Sequence, residues 1–147
     1  MQRNRLRVIT VRYLPTEDLK PVRILNSKSA ADVFSAFLND SDREKVAVLH
    51  LNARNQVIST EVVSIGTLTG SLVHPREVFK GALLQNAAAI IVAHNHPSGD
   101  VNPSSEDKKV ARRLASAAEI VGISMLDFLI VAPGGAHWSG ADAGELI

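Results

Sequence analysis

Six consecutive residues, Ala88-Ala89-Ile90-Ile91-Val92-Ala93, carry no polar side chain and lead directly into His94. A run of this length and branching reads as a fully buried strand, and such a strand needs apolar layers on both of its faces. The longest apolar run, residues 87–93, is far too short to cross a bilayer. The rest of the chain therefore has to supply neighbouring strands and covering helices.

Candidates for both are present. Residues 6–14 read as a strand that leads into a polar loop. Ser29 is a plausible N-cap for a helix with Ala30, Val33, Phe34, Phe37 and Leu38 on one face. Two β-rich runs, 46–51 and 57–65, flank the polar segment 52–56 and predict a hairpin. Pro75 opens a helix carrying Val78, Phe79, Ala82 and Leu83 inward. A longer helix from about Ser105 to Val121 turns Val110, Leu114, Ala118 and Val121 to a core and stops at Gly122. Residues 123–131 read as another buried strand, followed by a Pro133-Gly134-Gly135 turn and a last short strand at 137–139. Strands and helices in this order predict an α/β or α+β sheet with flanking helices. With no repeat and no long linker, one domain over residues 1–147 is expected, its core at about 28–140 behind an N-terminal strand and loop.

Composition narrows the chemistry. The chain has no cysteine, so disulfides, thiolate metal sites and a cysteine nucleophile are excluded. A tightly held metal would rest on His, Asp and Glu, which favours zinc or a similar divalent ion. At 46% hydrophobic and 21% charged residues the chain has the composition of a soluble globular protein. No apolar signal core follows the basic start, so a cytoplasmic location is expected. The formal net charge of +1 argues against a dedicated nucleic-acid binder, although Arg3, Arg5, Arg7 and Arg12 form a small basic group.

The chemistry concentrates in His94-Asn95-His96-Pro97 and, seven residues later, Ser104-Ser105-Glu106-Asp107. Side chains alternate along a strand, so positions 94 and 96 project from one face and can share an ion. Asp107, in the first turn of the following helix, can supply an oxygen ligand. Two histidines and one carboxylate leave a fourth position for water, the arrangement of catalytic zinc. Taken singly, Asp107 is equally a helix N-terminal acid and Ser104 an N-cap, and the cap and ligand roles are compatible.

The string His-Asn-His-Pro-Ser-Gly-Asp, with Pro103-Ser104 and Asp107 behind it, resembles the JAMM (MPN+) metalloprotease motif His-x-His-x10-Asp in its RadC-type form. Gly66-Thr67-Leu68, the segment from Ser71 through Phe79, and Leu126-Asp127 are similar to the same family. The resemblance implies a mixed sheet of the MPN, cytidine-deaminase-like type flanked by helices, with zinc on His94, His96 and Asp107. It also implies a hydrolase that cleaves a peptide or isopeptide amide. In JAMM enzymes a catalytic glutamate precedes the first core strand, the place that Glu44 holds here, and the family's oxyanion-assisting serine matches Ser104. Glu61 and Glu77 are rivals of Glu44 by residue type only.

Two departures accompany the match. RadC-type proteins usually carry Asp-His in the late strand, whereas this chain has Asp127-Phe128. Longer members also have a helix–hairpin–helix module, for which no room is expected here. The alternative function is a DNA-associated accessory protein, non-proteolytic, in DNA repair or mobile-element biology; a metal-free MPN scaffold is a third. The segments 66–74 and 97–103 are the places to look for substrate specificity.

Overall fold

The computed structural model describes residues 8–10, 22–38, 42–66 and 73–146. Most of the strand expected over 6–14 lies outside these residues, and Val8–Thr10 belong to no regular element. In chain order the described elements are α1 (Ser27–Leu38), β1 (Lys45–Leu51), β2 (Val57–Ile65), α2 (Pro75–Leu84), β3 (Ala89–Asn95), α3 (Ser105–Val121), β4 (Ser124–Val131) and β5 (His137–Ser139), with a short 3-10 turn at Pro133–Gly135. The sheet order is β2-β1-β3-β4-β5. β1 is antiparallel to both neighbours, β3 and β4 are parallel, and β5 returns antiparallel. The parallel pair is what requires α3 as a crossover.

All seven residues of β3 are buried, as its composition demands. Its alternate residues serve two cores. Ile90 and Val92, with Val46 and Val48 of β1, pack beneath Phe79 and Ala82 of α2 and Val110 and Leu114 of α3. Ala89, Ile91 and Ala93, with Leu49 and Leu51, pack against Ala30, Phe34 and Leu38 of α1 on the other face. The result is a helix–sheet–helix sandwich in which the C-terminal end of β3 opens between α3 and the start of β1.

Helix ends follow the capping residues, with one shift. α1 starts two residues ahead of Ser29: the Asn26 side chain accepts from the Ser29 N–H at 2.8 Å, and Ser29 Oγ accepts from the Asn26 N–H at 3.1 Å. Ser29 is thus the returning member of a reciprocal cap, not the cap itself. Pro75 sits in the first turn of α2, and Gly122, at φ 79°, closes α3 in the left-handed conformation. Three residues expected inward stand at the margins of their helix faces: Phe37 is 43% exposed, Leu83 54% and Val121 38%. In each helix the core is narrower than the apolar stripe.

The buried carboxylate of Asp127 fastens β5 and the C-terminal turn to β4. It accepts from the N–H groups of Phe128 (2.8 Å) and Ala141 (3.0 Å) and from Ser139 Oγ (2.5 Å). Asp127→Ala would remove all three bonds and leave their donors short of a partner. The expected loss is about 3 kcal/mol of folding stability, measurable by urea denaturation.

Candidate metal centre

His94 is the penultimate residue of β3 and shares the parity of Ile90 and Val92, so its ring enters the space beneath α3. His96 is the first residue past the strand. Its backbone N–H still donates to Val131 O at 2.8 Å, which extends the pairing with β4 and fixes where the second ring begins. The two rings meet edge to face, with centroids 4.9 Å apart. The chain then turns back through Pro97-Ser98-Gly99, where Gly99 N–H donates to His96 O (3.1 Å) at φ 91°. Few residues other than glycine adopt that angle.

The turn delivers Ser104 to the N-cap of α3 and Asp107 to its third helical position. Ser104 Oγ accepts from the Asp107 N–H at 3.0 Å, and the Asp107 carboxylate accepts from the Ser104 N–H at 2.7 Å. This capping box orients the carboxylate away from solvent. Asp107 Oδ1 lies 2.9 Å from His94 Nδ1, and Oδ2 lies 3.3 Å from His96 Nε2. Burial alone would raise the Asp107 carboxyl, but the hydrogen bonds from His94 and Ser104 outweigh it and hold the group below the ordinary carboxylate value. His96 Nδ1 donates to the Asp100 carbonyl at 2.7 Å, so Nε2 of that ring carries the lone pair and faces the acid.

One atom lacks a partner. His94 Nε2 is buried and makes no hydrogen bond, and the closest charged group on its side is the Glu44 carboxylate at 3.7 Å. A buried imidazole nitrogen left unmet costs free energy unless a proton or cation reaches it. His94, His96 and Asp107 each offer a ligand atom, all within 4.8 Å of one another, a group of three among the described residues that could hold a metal ion. The neutral-nitrogen and carboxylate donor set suits zinc and its neighbours better than magnesium or calcium.

All five residues singled out from the sequence line one cleft of about 350 Å³: Glu44, His94, His96, Ser104 and Asp107. Glu44 immediately precedes β1, which runs antiparallel to β3 and pairs Val46 with His94. That register carries the acid to the strand end where the histidines lie. Its rivals are elsewhere: Glu61 lies near His50, and Glu77 pairs with Lys80 on the surface of α2. Phe128, the departure from the resembled Asp-His pair, is fully buried in the core beneath α2 and α3. Arg3, Arg5, Arg7, Arg12 and residues 67–72 lie outside the described residues. No described helix is long and apolar enough to cross a membrane.

Sequence reasoning passed over Asn95, which stands between the two histidines and reads as a polar loop residue. Strand alternation turns its side chain to the opposite face, where it is buried. There Oδ1 accepts from the Lys45 N–H at 2.5 Å and Nδ2 donates to Arg43 O at 2.9 Å. Both bonds straddle Glu44, whose own carbonyl accepts from Gly66 N–H at 2.7 Å. The Glu44 backbone is therefore pinned from three directions, and Asn95 is the tether from the histidine strand. The period-two pattern of β3, extended past Ala93, contained the signal.

The family model of the RadC-like JAB domain matches residues 24–145. Among curated proteins the chain is 49% identical over 117 residues to "UPF0758 protein STH371" of Symbiobacterium thermophilum, covering 80% of this chain and 50% of that protein. It is 47% identical over 119 residues to a UPF0758 protein of Staphylococcus carnosus, covering 81% of this chain and 52% of that protein. A UPF0758 protein of Rubrobacter xylanophilus is 54% identical over 93 residues, 63% of this chain and 41% of the relative. The chain thus spans about half the length of the curated relatives it matches. The five-stranded mixed sheet with three flanking helices is the JAB/MPN fold. By the extent of the family match and the identity to these relatives, the chain belongs to the RadC-like JAB domain family.

Proposed function

We propose that this chain is a zinc-dependent hydrolase that cleaves a peptide or isopeptide amide. The observation that carries the reading is the unmet, buried Nε2 of His94, set among His96, Asp107 and Glu44 in the lining of a polar cleft. His94, His96 and Asp107 would hold the ion, which when bound would acidify a water and polarise a carbonyl. Asp107, kept ionised by its capping box and by His94, would bring one negative charge to that set. Asp100 O would hold His96 in the tautomer that presents Nε2.

Glu44 is the candidate general base. Its carboxylate is partly exposed at the cleft, while its backbone is fixed by Asn95 and Gly66. It would accept a proton from the attacking water and return it to the amide nitrogen as the C–N bond breaks. Ser104 Oγ accepts from the Asp107 N–H, and its hydroxyl lies within reach of the Asp107 carboxylate. Rotation of that hydroxyl away from Asp107 would let it donate to the oxygen that becomes negative when the carbonyl is attacked, a type of contact worth about 3–4 kcal/mol of barrier. The cleft walls are polar, with Ser98, Asp100 and Asn102 beside the five named residues. A substrate would therefore be held by polar contacts.

The protein purified without chelator should carry about one zinc per chain at this centre, lost in His96→Ala; folded protein that neither contains nor takes up zinc there would overturn the proposal. Glu44→Gln should keep that metal and lose amide hydrolysis by about 100-fold or more, read from kcat on any peptide the wild type cleaves. Asn95→Ala separates positioning from ligation. It should retain zinc and substrate KM but lower kcat by about 10-fold or more, because the base loses its tether while the ligands keep theirs.

A further inference from the structure

A second group of polar side chains is buried where β1, β2 and α2 meet. His50, on β1, is four residues beyond Val46, the partner of His94, so the group lies about 13 Å along the strand from the first centre. The His50 ring is 1% exposed. Its Nδ1 is 2.7 Å from Ser59 Oγ, Ser59 donates to Gln85 Oε1 at 2.6 Å, and Gln85 Nε2 donates to Gly81 O at 3.0 Å. Gln85 Nε2 also lies 3.2 Å from the same Nδ1, so the ring donates there to Ser59 in one tautomer and accepts from Gln85 in the other. In the tautomer that donates Nδ1–H to Ser59, Nε2 carries the lone pair, in the way that outer-shell bonds orient metal-binding histidines.

That Nε2 is buried, has no hydrogen-bond partner and faces Glu61 Oε2 at 3.8 Å. The separation is too long for a direct hydrogen bond and shorter than the ~4.6 Å across a bridging water. Two such ligand atoms on one tetrahedral zinc stand about 3.3–3.5 Å apart, so a shift of a few tenths of an ångström would close the pair on an ion. Gly81 on α2 makes the approach possible, because a Cβ there would collide with the Glu61 carboxylate and lie 3.1 Å from His50 Nε2. Burial pushes His50 down, which keeps the imidazole neutral at ordinary pH. Burial pushes Glu61 up, with Lys80 acting against that rise and Glu77 with it. A carboxylate in such a place gains from a cation beside it.

We propose that His50 Nε2 and the Glu61 carboxylate form a second cation site, which takes a divalent transition-metal ion of the zinc or cobalt class. Water completes the ion's shell on the exposed side of Glu61. The site joins β1 and β2 through one ion beside Gly81 of α2 and shares no ligand with the His94 cleft.

Equilibrium dialysis of the full chain against zinc, and separately cobalt, followed by elemental analysis, tests this. The wild type should retain one ion per chain more than Glu61→Gln, and Gly81→Ala should lose the same ion although alanine is otherwise favoured in a helix. The difference should persist in the His96→Ala background, so failure of the first centre leaves this count unaffected. Zinc should also shift the His50 ring resonances in NMR spectra of the wild type but not of Glu61→Gln. Equal ion counts in wild type and Glu61→Gln would overturn the site. So would an extra ion that survives both substitutions. Equal counts with a stability difference between the two proteins that changes with pH would mean that the pair shares a proton instead, and would overturn it as well.

Discussion

A carboxylate buried as deeply as that of Asp107 must be compensated on each side, and the segment between β3 and α3 is shaped around that need. The N-cap amide of Ser104 donates to it, the Ser104 hydroxyl closes the cap on the Asp107 N–H, and the two histidines stand on its other sides. Every other requirement follows from holding these groups still. β3 must be covered on both faces so that His94 leaves the sheet at a fixed height, and β4 must run parallel beside it so that Val131 can receive the His96 N–H. The left-handed Gly99 turns the chain back within a few residues. Sheet, turn and cap are thus one device for presenting nitrogen and oxygen lone pairs to a common point.

The same device explains why Asn95 matters. Three successive residues, His94, Asn95 and His96, divide their labour by strand parity: the histidines face the cleft and the asparagine faces back toward the start of β1. Its side chain bonds Arg43 O and Lys45 N–H on either side of Glu44 at the start of β1. In meeting them, Asn95 makes the position of Glu44 depend on the strand that carries the histidines. A surface loop acid with free backbone would not keep its carboxylate 3.7 Å from His94.

Much of this was legible in the sequence, for physical reasons. The uninterrupted apolar run of β3, Pro75 at the start of α2, and the Ser104–Asp107 and Gly122 ends of α3 are local signals that tertiary packing had no cause to override. The cap of α1 was less legible because Asn26 and Ser29 are both capping types and the box is reciprocal. Helical periodicity marked the apolar stripes but not their margins, where Phe37, Leu83 and Val121 stay partly in solvent. The His50 relay was hidden for another reason. A single histidine in an apolar strand reads as core, and its partners Ser59, Glu61 and Gln85 come from two other elements that only the folded sheet brings together.

The two halves of the His94 cleft are separated very differently along the chain. His94, His96 and Asp107 lie within one strand–turn–helix stretch, so bringing them together closes a short loop. Glu44 joins them only when β1 is laid against β3, across an intervening hairpin and helix. Loop-closure entropy rises with the length closed, and long-range pairing is the slower event in folding. A chain in which β3, α3 and β4 have formed can therefore gather its three metal-capable side chains while the acid is still remote. The complete cleft thus depends on the β1–β3 pairing, whereas its three metal-capable side chains depend on a single local stretch.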